Sequence, residues 1–458
     1  MIENDAFKLL LINLFHLDPD DIANIFCTTF NKMMVLLVTL ADKHQACPYC
    51  GFTAPKIKEY VTKEITHSAL TTQKCIIKYR ARRYKCPCCG KTYYEFNPFV
   101  FKSQKISILT VHNILKDLKD FNETFTSVAR RYHVSPTSVS TIFDNHVDIG
   151  RNPLPEIINF DEVYAFKSEK SKYVCVLLDF KKQIPVDVLP NRKKEYLLNY
   201  FQKIPLEERK KVKYACSDMY EVYRDVVHKV FPCSSMLLDY FHLSQDFHRK
   251  MNEVRIKVMK GYKDDKASDE YYLLKKFNWL LFKNPEDEDK YGRLFDVERE
   301  RKYNSHFKSY MNYYDLRSKL LEINNDLTIC YSLKLELVDF YSKSTIDNAQ
   351  VNLEHLIRSC IDTNIEEMIA FSNNLINWKQ EIINSFTIVG TEYKVEADKG
   401  QVVVCNKKVN NAIIENRNKI IKCIKNNANG YTNWPRFRNR VMYVLDPNTT
   451  FSLEPREK

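Results

Sequence analysis

Two apolar runs that end in an acid, Ile157-Ile-Asn-Phe-Asp161 and Val212-Lys-Tyr-Ala-Cys-Ser-Asp218, set the fold class of this chain. Runs of this length bounded by polar residues predict strands buried within a sheet. Two similar runs, 173–179 and 184–189, lie between them, and a fifth follows at 235–239. Helical periodicity precedes each of the last two runs. The order predicted for residues 157–239 is therefore three strands, a helix, a strand, a helix and a strand.

This order is typical of a ribonuclease-H-like mixed sheet, in which the first and fourth strands are neighbours. Asp161 and Asp218 would then lie side by side. Paired carboxylates offer the oxygen ligands that Mg²⁺ or Mn²⁺ prefers, and two such ions serve phosphoryl transfer. Glu162 is expected to point away from Asp161, since successive strand residues face opposite sides. The alternative is that each Asp only serves a turn, which is the commoner role at a strand end.

Two cysteine knuckles, Cys47-Pro-Tyr-Cys50-Gly and Cys86-Pro-Cys-Cys89-Gly, repeat one pattern. Each Cys-x-x-Cys-Gly turn directs two sulfurs at one point, and two turns supply the four thiolates of a tetrahedral zinc site. We therefore predict a zinc ribbon in which Cys47, Cys50, Cys86 and Cys89 hold one structural Zn²⁺. Cys88 lies inside the second knuckle, but the phase of the first knuckle favours Cys86 and Cys89. Two pairs of buried free cysteines are the alternative.

A helix-turn-helix is predicted after the knuckles. The segment 125–134 has the apolar period of a short helix, and Ser135-Pro136 supplies an N-cap followed by proline at the first helical position. The second helix, 136–145, would turn three small polar side chains outward as DNA contacts: Thr137, Ser138 and Thr141. An ordinary helical hairpin fits the same pattern.

The formal net charge is +12, and the positive charge is concentrated in two regions. Residues 407–440 hold nine Lys or Arg and a single acid, Glu415, while residues 47–100 carry a local net charge of +7. Such excesses attract DNA, although a solvated surface is the ordinary explanation of a charge run. Arg80 and Arg82, on one face of a predicted strand between the knuckles, are candidate phosphate contacts, or simply exposed strand residues.

The chain is predicted to be a multidomain α/β protein with a helical insertion in its core. No apolar stretch reaches the length of a membrane span and no secretory signal is seen, so we expect a cytoplasmic protein with cysteines as thiols or metal ligands. The predicted division is an N-terminal helix and strand segment (1–46), the zinc ribbon (47–100), the helix-turn-helix (101–150), the first part of the core (151–245), the helical insertion (246–395) and the last part of the core (396–458).

An ordered set of motifs resembles the DDE transposases of the ISL-three (ISL3) insertion-sequence family over nearly the whole chain. Besides the knuckles and the segment 125–136, the matching pieces are Phe160-Asp161-Glu162, Asp187-Val-Leu-Pro190, Ser217-Asp218-Met219-Tyr220, Asp239-Tyr-Phe-His242, Trp279-Leu-Leu-Phe-Lys-Asn-Pro285, Asn377-Trp378-Lys-Gln-Glu381, and Asn410-Asn-Ala-Ile-Ile-Glu415-Asn-Arg-Asn-Lys-Ile-Ile-Lys422 with Gly430-Tyr431. Any one motif is weak evidence for the family, but the whole set in this order is strong evidence. The chain departs from the family's usual glycines at Ala412 and Asn416, and from its usual basic pair at Asn426-Asn427.

The resemblance implies a catalytic triad of Asp161, Asp218 and Glu415 that holds two Mg²⁺ or Mn²⁺ ions. It implies supporting roles for Asp239 and His242. It also implies cleavage and strand transfer of double-stranded DNA, with element ends and target as substrates, by a dimer or larger assembly in the bacterial nucleoid. The alternatives are a DNA-binding regulator that has lost cutting and a nuclease that hydrolyses without joining.

The helix that carries Glu415 has further polar residues at helical spacing. Asn411, Asn418, Lys419 and Lys422 share its predicted face, and the two lysines are candidate phosphate contacts. A solvated helix with one acid among lysines is the alternative. Trp279 and Trp378 in the insertion are expected in the core, with stacking on a displaced base as the other possibility.

Overall fold

The computed structural model describes residues 2–43, 46–70, 72–101, 104–166, 171–395 and 402–456. The protein is a mixed α/β structure with several sheets and many helices. The predicted boundary at 395/396 borders residues 396–401, which lie outside the described residues. Within the described part of the chain, no helix is both long and apolar enough to cross a membrane.

The N-terminal unit is built on one five-stranded sheet. Its elements are α1 (Ile2–Leu14), a 3-10 helix (Pro19–Asp21), β1 (Ile22–Phe30), β2 (Met33–Leu40), β3 (Lys56–Thr66), β4 (Cys75–Lys85) and β5 (Thr92–Tyr94). The strand order is β1-β2-β4-β3, with β5 paired to β4. Strands from the first two predicted segments therefore share one sheet. The sequence did not predict β1, because it is an edge strand with only two buried side chains and no apolar alternation.

Three helices follow and pack around one small core: α2 (Ile108–Asp117), α3 (Phe125–Arg131) and α4 (Pro136–His146). The predicted pair of helices at 125–134 and 136–145 is confirmed, as is Ser135 as the N-cap, which accepts the Ser138 backbone N–H. The turn between the two helices places His133 at φ 54°, a left-handed conformation that ends α3 sharply.

The central sheet has five strands in the order β10-β9-β6-β7-β8. Its elements are β6 (Ile157–Val163), β7 (Val174–Asp179), β8 (Pro185–Leu189), α5 (Lys194–Gln202), α6 (Leu206–Arg209), β9 (Tyr214–Ser217), α7 (Glu221–Val230) and β10 (Ser235–Leu238). The first and fourth of these strands, β6 and β9, are parallel neighbours, as the sequence predicted. β6 pairs with β7, and β7 with β8, in antiparallel fashion.

A largely helical region interrupts the core after β10. Its elements are α8 (Tyr240–Lys260), α9 (Asp269–Lys276), a 3-10 helix (Asn278–Phe282), β11 (Glu288–Asp289), β12 (Gly292–Arg293), β13 (Lys302–Asn304), β14 (Ser309–Met311), α10 (Tyr313–Glu322), α11 (Asn325–Lys343), α12 (Ala349–Asp362), α13 (Glu366–Asn377) and α14 (Lys379–Asn384). Trp378 is buried in the core, as expected, while Trp279 is half-buried and packs against that core, edge-on to Tyr313.

The chain then returns to the central sheet. A hairpin of β15 (Ile388–Val395) and β16 (Val402–Lys408) leads into α15 (Ala412–Asn427), and α16 (Trp434–Leu445) follows. α15 packs on β6 and β7, while α16 packs on β8. The return brings the first turn of α15 to the strands that carry the two aspartates.

α16 also joins the three-helix unit to the central sheet. The buried Arg440 guanidinium donates to the carbonyl oxygens of Asp120 and Glu123, each at 2.8 Å, in the loop between α2 and α3. The Tyr443 hydroxyl donates to the Leu115 carbonyl at 2.9 Å, and Arg438 pairs with Asp187 on β8 at 2.6 Å. These contacts fix the helical unit relative to the catalytic candidates.

The N-terminal sheet is anchored to the same helical unit by His67. Its Nε2–H donates to the Phe15 carbonyl at 2.8 Å, so its Nδ1 accepts from the Ser107 hydroxyl at 3.0 Å. Ser107 is also the N-cap of α2. Burial lowers the pKa of His67, so the ring stays neutral in this contact.

Candidate active site

Asp161 lies on β6 and is half-buried. One carboxylate oxygen accepts from Asn418 Nδ2 at 2.7 Å, and the other accepts the backbone N–H of Glu162 at 2.7 Å. Burial raises the pKa of Asp161 to about 7, and the charges of Asp218 and Glu415 add to the shift while His242 opposes it. An acid in this state binds a cation readily, because a cation relieves the cost of burying its charge.

Asp218 follows directly after β9, next to β6, so the parallel pairing brings its carboxylate to that of Asp161. Burial raises the pKa of Asp218, and His242 and then Arg192 counteract this effect. Its Oδ1 atom is buried and has no hydrogen-bond partner among the described residues. A buried oxygen without a partner is costly, and here it faces other acids, which suits a cation ligand.

Glu415 is in the first turn of α15, where its backbone N–H donates to the Asn411 carbonyl at 2.9 Å. Its carboxylate oxygen Oε1 lies 3.8 Å from His242 Nε2. Asn418, one turn later on the same helix, donates to Asp161. The first turn of α15 therefore brings Glu415 to His242, and the next turn contacts Asp161 through Asn418.

Asn159 fixes α15 on the sheet, and the sequence analysis missed it. This fully buried side chain on β6 donates from Nδ2 to the Asn410 carbonyl and to Asn411 Oδ1, both at 2.8 Å. The signal was present, since Asn159 is the one polar residue within the apolar run before Asp161. A buried amide in a strand requires a partner, and that partner is the N-cap of the Glu415 helix.

Asp239 is the N-cap of α8 and His242 lies in the first turn of that helix, next to Glu415 on α15. His242 Nε2 is 3.9 Å from Asp239 Oδ2, and Asp239 is almost completely buried. Burial raises the pKa of Asp239, while His242 and the backbone N–H of Asn411 lower it. A cleft of about 680 Å³ opens beside these residues, and both Asp239 and Glu415 line it.

The acids form two adjacent groups, each with ligand atoms within 4.8 Å of one another: Asp161, Glu162 and Asp218 in one, and Asp239, His242 and Glu415 in the other. The expectation that Glu162 points away from Asp161 is therefore wrong. Its longer side chain is held near the aspartates by an ion pair with Arg192 and by the Tyr223 hydroxyl, which donates to Glu162 at 3.1 Å.

The four predicted knuckle cysteines form a separate cluster, also within 4.8 Å. The Sγ–Sγ distances are 3.7 Å for Cys47 and Cys89 and 3.5 Å for Cys50 and Cys86. Sulfurs placed tetrahedrally at about 2.3 Å from one zinc ion would be about 3.8 Å apart, so the cluster fits that ion.

The knuckle turns have the backbone that the sequence pattern requires. Gly51 and Gly90 have φ of 76° and 70°, where other residues are strained. Backbone N–H groups, that of Cys89 first, lower the pKa of Cys86 to about 7, which favours the thiolate needed by a metal. Cys88 is exposed and outside the cluster, as the phase predicted.

The predicted DNA contacts fall into two groups. Exposed side chains belong to Thr137, Thr141, Arg80, Lys419 and Lys422, and Ser138 is half-buried beside the Ser135 hydroxyl. Arg82 differs, because its guanidinium pairs with Glu95 at 2.8 Å and donates to the Leu40 carbonyl at 3.1 Å. These contacts hold Arg82 within the N-terminal sheet, and its side chain is only 15% exposed.

Comparison with known proteins identifies the family of this chain. The model of the ISL3 DDE transposases, described as a transposase family, matches residues 158–398, which include Asp161 and Asp218 and end before Glu415. The transposase for insertion sequence element IS1001 of Bordetella parapertussis is 19% identical over 409 residues, covering 89% of this chain and 90% of that relative. The family match spans more than half of the chain. The chain belongs to the ISL3 family of DDE transposases.

Proposed function

We propose that this protein cleaves DNA at the ends of an insertion sequence and joins those ends to target DNA. The observation that carries the proposal is the convergence of three acids that are remote in the chain. Its support is that Asp161 and Asp218 belong to one cluster of ligand atoms, and that Asn418, one turn after Glu415 on α15, donates to Asp161. The strand order and directions of the central sheet support a ribonuclease-H-like core around this site.

The acid cluster suits hard divalent cations, Mg²⁺ or Mn²⁺, because it offers carboxylate oxygens. Two such ions, when bound, activate the attacking oxygen and stabilise the leaving one. In our proposal Asp161, Asp218 and Glu415 are the ligands. Asn418 orients Asp161 through its 2.7 Å hydrogen bond, and Asn159 places the helix that carries Glu415.

The modules before the core would bind the terminal inverted repeats. We propose a zinc ribbon at 47–100 with Cys47, Cys50, Cys86 and Cys89 as ligands, and a helix-turn-helix at 101–150 that reads bases with Thr137, Ser138 and Thr141. Lys419 and Lys422, exposed on the helix of Glu415, would contact phosphates near the cut. Because transposition joins two ends, a dimer or larger assembly on DNA is part of the proposal, acting in the bacterial cytoplasm.

The departures from the family's usual residues leave the three proposed catalytic acids unchanged. Ala412 and Asn416 are exposed within α15, where the helical backbone needs no glycine. Asn426 and Asn427 are exposed at the far end of the same helix. The positions that hold Glu415 in place, Asn411 and Asn418, remain buried.

The test is an in vitro reaction with DNA carrying the ends of the element and Mg²⁺. Wild type should give cleaved ends and strand-transfer products, while Asp161→Asn and Glu415→Gln should bind the ends without cutting. Asp225→Asn, on the surface of α7, is the matched control and should react like wild type. If wild type bound the ends without cleaving them, a DNA-binding regulator would be favoured. If it cleaved the ends without joining them to target DNA, a nuclease would be favoured.

A further inference from the structure

We propose that Asp239, His242 and Glu415 form a mixed nitrogen and oxygen site for one of the two divalent ions, with His242 as a direct ligand. The other ion would then be held by Asp161 and Asp218. The inference rests on the proposed function. It assigns His242 and Asp239 as metal ligands, where the sequence predicted only supporting roles for them.

The distances around His242 fit a shared ion better than direct contacts. Its Nε2 lies 3.9 Å from Asp239 Oδ2 and 3.8 Å from Glu415 Oε1. Both separations exceed the hydrogen-bond range of roughly 2.7–3.2 Å. Two ligand atoms at about 2.1 Å from one ion are roughly 3.0 Å apart at a right angle and about 4.2 Å apart when opposite. Both observed separations lie within that interval.

The hydrogen-bond state of His242 supports the same conclusion. Its Nε2 atom is buried and has no hydrogen-bond partner among the described residues, although two carboxylates face it. A buried ring nitrogen without a partner is destabilising unless something absent from the protein chain satisfies it. A cation satisfies the nitrogen and both carboxylates at once.

The carboxylate of Asp239 is oriented before any ion binds. It is almost fully buried, and backbone N–H groups of Asn411 and Phe241 act on it. Asn411 is the N-cap of α15, so the same helix end positions both Asp239 and Glu415. Metal ligands held by outer hydrogen bonds in this way retain their geometry without the ion.

The cleft beside the site gives an ion and a DNA strand a route to it. Its volume is about 680 Å³, and its lining includes Asp239, Glu415 and Lys408. An imidazole ligand distinguishes this half of the site from the all-oxygen half. Nitrogen ligands favour Mn²⁺ over Mg²⁺, since affinity for mixed sites rises along the transition series and Mg²⁺ prefers oxygen.

The test is Mn²⁺ binding to the full chain, followed by electron paramagnetic resonance and calorimetry with MnCl₂ alone. Wild type should bind two Mn²⁺ per chain at the acid cluster, and pulsed spectra should show the ¹⁴N coupling of a directly bound imidazole. His242→Ala should lose that coupling and weaken one Mn²⁺ at least about tenfold, while leaving the other unchanged. Asp218→Asn should weaken the other ion and keep the ¹⁴N coupling.

The matched control is His228→Ala, an exposed histidine on α7, which should keep both ions and the coupling. Thermal unfolding of each variant confirms that it is folded, and the wild-type spectrum needs no variant at all. Two Mn²⁺ without ¹⁴N coupling, or coupling that survives in His242→Ala, would overturn the inference and leave the proposed function standing. Failure of wild type to bind any Mn²⁺ at the acids would instead overturn both.

Discussion

Asn159 provides a sharp test of how the fold positions Glu415. Asn159→Leu keeps the branched shape of the side chain but removes both hydrogen bonds to the start of α15. The Asn410 carbonyl is at an exposed residue and can be hydrated, whereas Asn411 is fully buried and its Oδ1 would lose its donor. Leaving one buried acceptor without a partner costs roughly 1–3 kcal/mol, so we expect a loss of about 2 kcal/mol.

The same substitution should affect catalysis more than binding. The first turn of α15 would lose its anchor on β6, and a shift of about 1 Å at Glu415 can lower the rate roughly 100-fold. We expect thermal unfolding to show a midpoint lowered by roughly 4–8 °C. Cleavage of end DNA should fall about 100-fold, while a binding assay should give nearly the wild-type affinity for that DNA.

The matched control is Asn426→Leu, which changes an exposed asparagine at the other end of α15. It should unfold and cleave like wild type. If Asn159→Leu matched this control in both measurements, the assignment of Asn159 as the residue that positions Glu415 would be wrong. A stability loss with normal cleavage would show that Asn159 stabilises the fold without placing Glu415.

Three further predictions concern the modules around the core. Cys86→Ser should lower the bound zinc, measured by elemental analysis, from one equivalent per chain to near none, and it should abolish binding of end DNA. The control Cys88→Ser should keep the zinc ion and the DNA binding. Arg440→Met should destabilise the contact between the helical unit and α16 by about 3 kcal/mol, seen in thermal unfolding, because two carbonyl oxygens lose a charged donor. Burial lowers the pKa of His67 in the folded protein, so the unfolded chain binds more protons near pH 6. Stability should therefore fall as pH decreases below about 6.5, and His67 should contribute at most about 1.4 kcal/mol per pH unit. His146 and His248 have lowered pKa values too, so His67→Gln should reduce this slope in unfolding curves rather than remove it, and an unchanged slope would contradict the assignment.

Much of the core was predictable because its sequence signals are local. The apolar runs that end at Asp161 and Asp218 predicted both strands, and their pairing followed from the order of elements. The knuckle spacing predicted the cysteine cluster, including the exclusion of Cys88. Each strand and each knuckle is recognised from a few consecutive residues, and the order of these motifs along the chain then predicts which of them pair.

The rest depends on contacts between remote segments. The sequence did not show that Asn159 anchors the helix of Glu415, because their partnership spans about 250 residues. Arg82 was predicted as a phosphate contact because the sequence does not show its ion pair with Glu95, which follows β5 directly. The predicted orientation of Glu162, away from Asp161, was wrong because strand alternation fixes only the direction of the Cβ atom. It does not fix the position of the carboxylate at the end of a long side chain.

The central claim is that Glu415 is a ligand of one of two catalytic metal ions, next to the ion that Asp161 and Asp218 hold. Metal rescue tests it most directly: Glu415→Cys replaces an oxygen ligand by a softer sulfur, which Mn²⁺ tolerates better than Mg²⁺ does. We predict that this variant cleaves end DNA poorly with Mg²⁺ and regains substantial activity with Mn²⁺, while Asp225→Cys behaves like wild type with both. Cleavage by Glu415→Cys at the wild-type rate with Mg²⁺ would contradict the claim.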